Sequence, residues 1–253
     1  EARRLFGLAA AQGDASAQCN LGVMHHLSDG GQVDFAEARR LYGLAAAQGD
    51  ANAQCALGIM HHLGRGGPVD FAEARRLYGL AAAQGDVDAQ CALGGMHDEG
   101  QGGPVDFAEA RRLFGLAAAQ GHAKAQCNLG YMHRFGEGGP VDFAEARRLL
   151  GLAAAQGHAK AQFNLGVMHH RGEGGPVDVA ETRRLYGLAA AQGDANAQIT
   201  LGVMYNYGQG GSRDVAEGRR LLGLAAEQGH AKAQYNLGLM YRRGEGGPVD
   251  FAE

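Results

Sequence analysis

The chain has 253 residues, a net charge of −4 and a pI near 6.3, with 45% apolar residues, seven methionines, four cysteines and no tryptophan. This slight acidity gives no general pull toward nucleic acid or anionic membrane, and no stretch approaches the roughly 20 apolar residues that cross a bilayer. Forty-three glycines and an alanine-rich pattern point to an interior of small side chains that lets helices approach closely.

Met24, Met60, Met96, Met132, Met168, Met204 and Met240 recur every 36 residues, and the sequence between them repeats without insertion or deletion. Self-similarity at such a period means stacked supersecondary units, each too small to bury its apolar face alone. The expectation is one elongated array over residues 1–253, and a piece of a longer chain, since Glu1 and Glu253 fall at equivalent places inside a unit.

Residues Asp34 to Val69 give the unit in chain order. Asp34 followed by Glu37 reads as a capping box: the Asp oxygen takes a free N–H of the first turn and the Glu reaches back to the cap. Good helix formers then run from Phe35 to Gln48, where Gly49 stops helix A after about 14 residues. Asp50 caps helix B, from about Ala51 to Leu63, in which Ala53, Leu57 and Met60 keep helical spacing. The run Gly64 to Pro68 forces a loop, because Pro68 cannot sit inside a helix, and Val69 leads to the next cap, Asp70. The fold class read from this pattern is all-α: an α-solenoid of about seven helix-turn-helix repeats.

The order Asp34, Ala36-Glu37-Ala38, Ala45-Ala46, Gln48-Gly49, Ala53-Gln54, Leu57-Gly58 and Gly64-x-Gly66-x-Pro68-x-Asp70 resembles the Sel-one-like repeat, a relative of the tetratricopeptide repeat, in every unit. The resemblance implies a right-handed superhelix with helix A on its concave side. It also implies a role as adaptor or scaffold, as in endoplasmic-reticulum protein degradation, bacterial host interaction and complex assembly, and no catalysis. The family usually has charged or large polar residues in the middle of helix A, where this chain places Gly43, Leu44 and Ala47. A mid-helix glycine costs about 1 kcal/mol relative to Ala, and the cost recurs at Gly7, Gly43, Gly79, Gly115, Gly151, Gly187 and Gly223.

The candidate partner-binding face is therefore a small-residue, apolar stripe with an arginine border. It comprises Arg39, Arg40, Gly43, Leu44 and Ala47, then Arg75, Arg76, Gly79, Leu80 and Ala83 one unit later. The series continues with Arg111, Arg112, Gly115, Leu116 and Ala119, then Arg147, Arg148, Gly151, Leu152 and Ala155. The competing reading is compositional drift toward Ala, Gly and Arg on a tolerant surface. The arginine pairs themselves read either as a ladder for an acidic segment or as a solvated face in which Glu37 pairs with Arg40.

Other columns point to packing. Cys19, Cys55, Cys91 and Cys127 are replaced by Phe163, Ile199 and Tyr235, which marks an apolar site with free thiols. The second cysteine of the family's cysteine-rich branch is missing, so β-lactam binding is not implied. His25, His61, His97, His133 and His169 give way to Tyr205 and Tyr241, as expected of a half-buried ring with an edge free for a hydrogen bond. Residues one repeat apart cannot converge on one metal ion. Ser16, Ser28, Ser212, Thr182 and Thr200 do not recur beside a His and a carboxylate, and the glycine loops lack the Lys-Ser/Thr of a phosphate cradle. No catalytic residue, metal or cofactor is expected, and a small-molecule ligand is disfavoured.

Two functions follow: an adaptor that takes a partner segment onto the helix A face, or a permanent structural subunit bridging a large assembly, membrane-associated ones included. Interface size separates them. The partner in both is another protein, with nucleic acid disfavoured. Unpaired cysteines favour the cytosol, with an organelle or the endoplasmic-reticulum lumen left open.

Overall fold

A computed structural model describes residues 1–28 and 32–245, so the expected end of the array at Glu253 lies outside the described residues. Every element among the described residues is a helix, and the chain divides into two compact units, residues 1–125 and 126–253.

The first unit contains α1 (Ala2–Ala11), α2 (Ala15–His26), α3 (Phe35–Ala47), α4 (Ala51–Leu63), α5 (Phe71–Ala83), α6 (Val87–Glu99) and α7 (Phe107–Ala119). The helix α8 (Ala123–Phe135) begins in the first unit and continues in the second, which also holds α9 (Phe143–Ala155), α10 (Ala159–Arg171) and α11 (Val179–Ala191). The second unit ends with α12 (Ala195–Tyr207), α13 (Val215–Glu227) and α14 (Ala231–Arg243). Odd-numbered helices are the A helices of the repeat, and even-numbered ones the B helices.

The boundaries follow from the caps. The N–H of Glu37 donates to Asp34 Oδ1 at 2.9 Å and that of Ala53 to Asp50 Oδ1 at 2.8 Å, each a cap worth about 1 kcal/mol. Helix A stops one residue earlier than its composition suggests, with Gln48 as C-cap and Gly49 at φ +91°. Helix B ends on Gly64 at φ +66°, a left-handed conformation that a Cβ disfavours. The first repeat has Ser28 at that place, the one non-glycine residue with positive φ among the described residues, at +58°.

The capping box is only half formed. The Glu37 carboxylate turns to Arg40, whose Nε and Nη2 donate to it at 2.8 and 2.7 Å. Its expected target is already taken, because the N–H of the cap residue Asp34 donates to the His25 carbonyl of the preceding helix B at 2.9 Å. The same bond joins Asp70 to His61 and Asp106 to His97. A charge-assisted bidentate pair therefore replaces a reciprocal cap.

Packing between repeats depends on a glycine in helix B. A Cβ on Gly58 would lie 2.8 Å from the Tyr78 ring, and one on Gly94 2.9 Å from the Phe114 ring, so α4 and α6 receive the aromatic ring of the following helix A directly on backbone. Around this contact Ala38, Tyr42, Ala45, Ala53, Leu57, Met60 and Leu77 form one core cluster, and Ala74, Tyr78, Ala81, Ala89, Leu93, Met96 and Leu113 the next. The second unit repeats the pattern with Tyr186, Ala189, Leu201, Met204 and Leu221. A fully buried Met or Leu contributes about 1.5–3 kcal/mol, so each repeat is stable chiefly against its neighbours.

Candidate functional site

The residues of the expected face fall into three groups. Leu44, Leu80 and Leu116 each stand 42% exposed, and Leu152 is equally open. Ala47, Ala83, Ala119 and Ala155 are exposed beside them. Gly43, Gly79, Gly115 and Gly151 lie between, and a Cβ built on any of them meets nothing within 4 Å. Each glycine therefore borders open space and not a close helix contact within the described fold.

That space has a definite form. Between α3 and α5 lies an indentation of about 410 Å3, with Gly43, Ala46 and Ala47 on one side, Leu77 and Leu80 on the other, and Gln54 and Leu57 lining it as well. Its counterpart between α5 and α7 measures about 500 Å3, and in the second unit Gly187, Ala191 and Leu224 line one of about 420 Å3. The A helices thus present a leucine, then a hollow, then a leucine.

The two arginines of each pair have different surroundings. Arg40, Arg76, Arg112 and Arg148 are exposed, and each donates two hydrogen bonds of 2.6 to 2.8 Å to the Glu three residues earlier. Those bonds hold the Glu37, Glu73, Glu109 and Glu145 carboxyls below the ordinary carboxylate range and push the guanidinium values up. The Glu73–Arg76 and Glu109–Arg112 pairs line the hollows, so their border carries compensated charge. Arg39, Arg75, Arg111 and Arg147 are half-buried. Arg39, Arg75 and Arg147 turn into the hairpin toward His61, His97 and His169, and Arg3 approaches His25 in the same way.

Residues quoted in the sequence only as family signature prove to form a half-buried ladder beneath the face. Gln54, 4% exposed, donates from Nε2 to the Ala46 carbonyl at 3.2 Å and accepts from Gln84 Nε2 at 2.8 Å. Gln84 in turn reaches the Leu80 carbonyl at 3.4 Å. Equivalent amide pairs join Gln48 to Gln18 and Gln120 to Gln90 in the first unit, and Gln156 to Gln126, Gln192 to Gln162 and Gln228 to Gln198 in the second. The recurrence of two glutamines 30 residues apart is the signal that would have revealed them.

The four cysteines are buried and free. Burial, with the nearby Asp50, pushes the Cys19 thiol up to about 11, and burial raises Cys91 and Cys127 to about 11 as well. Among the described residues no three His, Cys, Asp or Glu gather where they could hold a metal ion, and no helix is long and apolar enough to cross a membrane.

The Sel1 repeat family model matches residues 1–14, 15–50, 51–86, 87–122, 123–158, 159–194, 195–230 and 231–253. Among solved structures, a protective antigen of uropathogenic Escherichia coli displaying the Sel1-like repeat fold is 35% identical, with a TM-score of 0.88 over 96% of this chain. The match takes in 52% of that antigen, so this chain spans about half its length. A Sel1 repeat protein from Oxalobacter formigenes is 33% identical with a TM-score of 0.80, covering 98% of this chain and 72% of that one. An immunity protein from Pseudomonas aeruginosa shares the fold alone, at 18% identity and a TM-score of 0.51 over 87% of this chain and 82% of its own. No curated protein sequence gives a significant match.

Proposed function

This chain belongs to the Sel1 repeat family, and on that premise we propose that it is a non-catalytic scaffold that binds a partner protein on its helix A face. Sel1 repeat proteins generally act as protein-interaction scaffolds and are not enzymes as a rule. The observation that carries the reading for this chain is the open space over Gly43, Gly79 and Gly115 beside exposed Leu44, Leu80 and Leu116. Each glycine costs the helix about 1 kcal/mol, and nothing inside the fold uses the space it leaves. A partner side chain seated in the hollow between successive leucines would use it. The paired charges at the border offer no net field, so recognition rests on apolar contact, with the Glu73–Arg76 and Glu109–Arg112 pairs setting register.

The test compares the full chain with its L44E/L80E/L116E variant. Because those leucines are solvent-facing, helical content should be unchanged in circular dichroism. The reading requires a protein retained by the wild-type chain and lost by the variant at equal loading. An identical set of captured proteins would overturn it.

A further inference from the structure

The first arginine of each pair builds a contact that the scaffold role does not require. Arg39 Nη2 lies 2.9 and 3.3 Å from the two ring nitrogens of His61, Arg75 Nη2 2.8 and 3.2 Å from those of His97, and Arg147 Nη2 2.6 and 3.2 Å from those of His169. A donor this near both nitrogens of one imidazole lies over the ring face, because an in-plane bond to either lone pair would leave the other nitrogen much farther away, so each guanidinium is stacked on its histidine. The neutral imidazole offers that cation the electron-rich face of its ring, whereas the imidazolium is itself positive and brings a second charge to the same place.

This contact holds the junction between repeats. Arg39 Nη1 reaches the Pro68 carbonyl at 3.5 Å, and a Cβ on Gly67, Gly103 or Gly175 would strike the guanidinium of Arg39, Arg75 or Arg147. The loop after helix B therefore rests on the arginine. The backbone carbonyls of His61, His97 and His169 accept from the N–H of Asp70, Asp106 and Asp178, the residues that cap the following A helix. Two later repeats make the same clamp with a tyrosine ring in place of the imidazole. Arg183 and Arg219 stack over Tyr205 and Tyr241, 3.9 Å from each centroid, and the Tyr205 carbonyl accepts from the N–H of Asp214.

We propose that the Arg39–His61, Arg75–His97 and Arg147–His169 pairs are acid-sensitive latches: protonation of the histidine frees the loop that seats the next A helix. The Arg183–Tyr205 junction stays closed under the same conditions.

The groups facing His61 are Arg39 on α3, the cap Asp70, and Glu73 and Arg76 on α5. His97 faces Arg75, Asp106, Glu109 and Arg112, and His169 faces Arg147, Asp178, Glu181 and Arg184. Partial burial, then the adjoining arginine, outweighs the two carboxylates, and all three rings are held below the ordinary histidine value. A ring that binds its proton more weakly in the folded chain contributes stability that is complete above the unfolded value of about 6.5. That stability is lost as the pH falls through the folded value.

Native-state hydrogen exchange on the full chain, corrected for intrinsic rates, at about pH 7.5 and about pH 5 reads the latches one by one. On acidification, protection at Arg65 and Asp70, at Gln101 and Asp106, and at Glu173 and Asp178 should fall about tenfold for each pH unit that separates folded and unfolded values. Gln209 and Asp214 should hold. The H61Y/H97Y/H169Y variant, which carries the ring already present at Tyr205, should lose the acid response at all three junctions. Equal losses at the histidine and tyrosine junctions of the wild-type chain, or no loss at either, would overturn the proposal whether or not the variant folds. An acid response undiminished in a folded variant would also overturn it.

Discussion

Replacing Gly43, Gly79 and Gly115 together by alanine separates the two kinds of helical glycine in this array. A Cβ at each of these positions meets no atom within 4 Å, so the substitution adds helix propensity and reduces the freedom of the unfolded chain without overpacking. The expected gain is about 1 kcal/mol per site, and about 3 kcal/mol for three sites one repeat apart that share no partner. Gly58 and Gly94 also sit inside helices, but their Cβ atoms would lie 2.8 Å from Tyr78 and 2.9 Å from Phe114. Overpacking there costs about 1–3 kcal/mol, which cancels or exceeds the propensity gain. Urea unfolding followed by circular dichroism should show a higher midpoint for G43A/G79A/G115A and an equal or lower one for G58A/G94A. A lower midpoint for the triple variant would refute the claim that the helix A face borders open space. Partner binding gives the second readout, because the added methyls narrow the hollows and should weaken it even as stability rises.

Ser28→Gly should stabilise the chain by about 1 kcal/mol in the same assay, because Ser28 alone among the described residues holds a left-handed conformation with a Cβ. Arg134→Ala should destabilise it by about 2 kcal/mol, since Arg134, 7% exposed, donates at 2.6 Å to a half-buried Glu173 carboxylate that would keep only Arg171 at 3.7 Å. Arg40→Ala, which breaks an exposed pair of similar length, should shift stability by no more than about 0.5 kcal/mol, and equal effects of the two would refute the distinction. Thiol labelling of the native chain near neutral pH should be negligible at Cys19, Cys91 and Cys127, whose values near 11 leave almost no thiolate, and complete after denaturation.

The fold was legible because its signals are local and repeated. Asp34, Gly49, Asp50 and Pro68 delimit two helices, and the spacing of Ala53, Leu57 and Met60 marks the buried side of helix B. What escaped depends on contacts between repeats. Glu37 looked like half of a capping box because the sequence does not show that the Asp34 N–H is bonded to His25 of the repeat before. Arg39 and Arg40 are neighbours in sequence, but a helix turns about 100° between them, which sends one into the hairpin and leaves the other in solvent. Gln54 and Gln84 become a half-buried pair only once the stack brings residues 30 apart together. The stripe of Gly43, Leu44 and Ala47 was visible as a departure from the family pattern, and the structure adds the hollows that the missing side chains leave.

The most direct test of the scaffold reading is site-specific photo-crosslinking. A crosslinking side chain is installed at Leu80 on helix A in one preparation and at Ile59 on the exposed face of helix B in another, both positions being solvent-facing in the structure. The account predicts that partner protein is captured from Leu80 and not from Ile59, and that capture at Leu80 disappears when Leu44 and Leu116 are changed to Glu. Capture from Ile59 with none from Leu80 would contradict it.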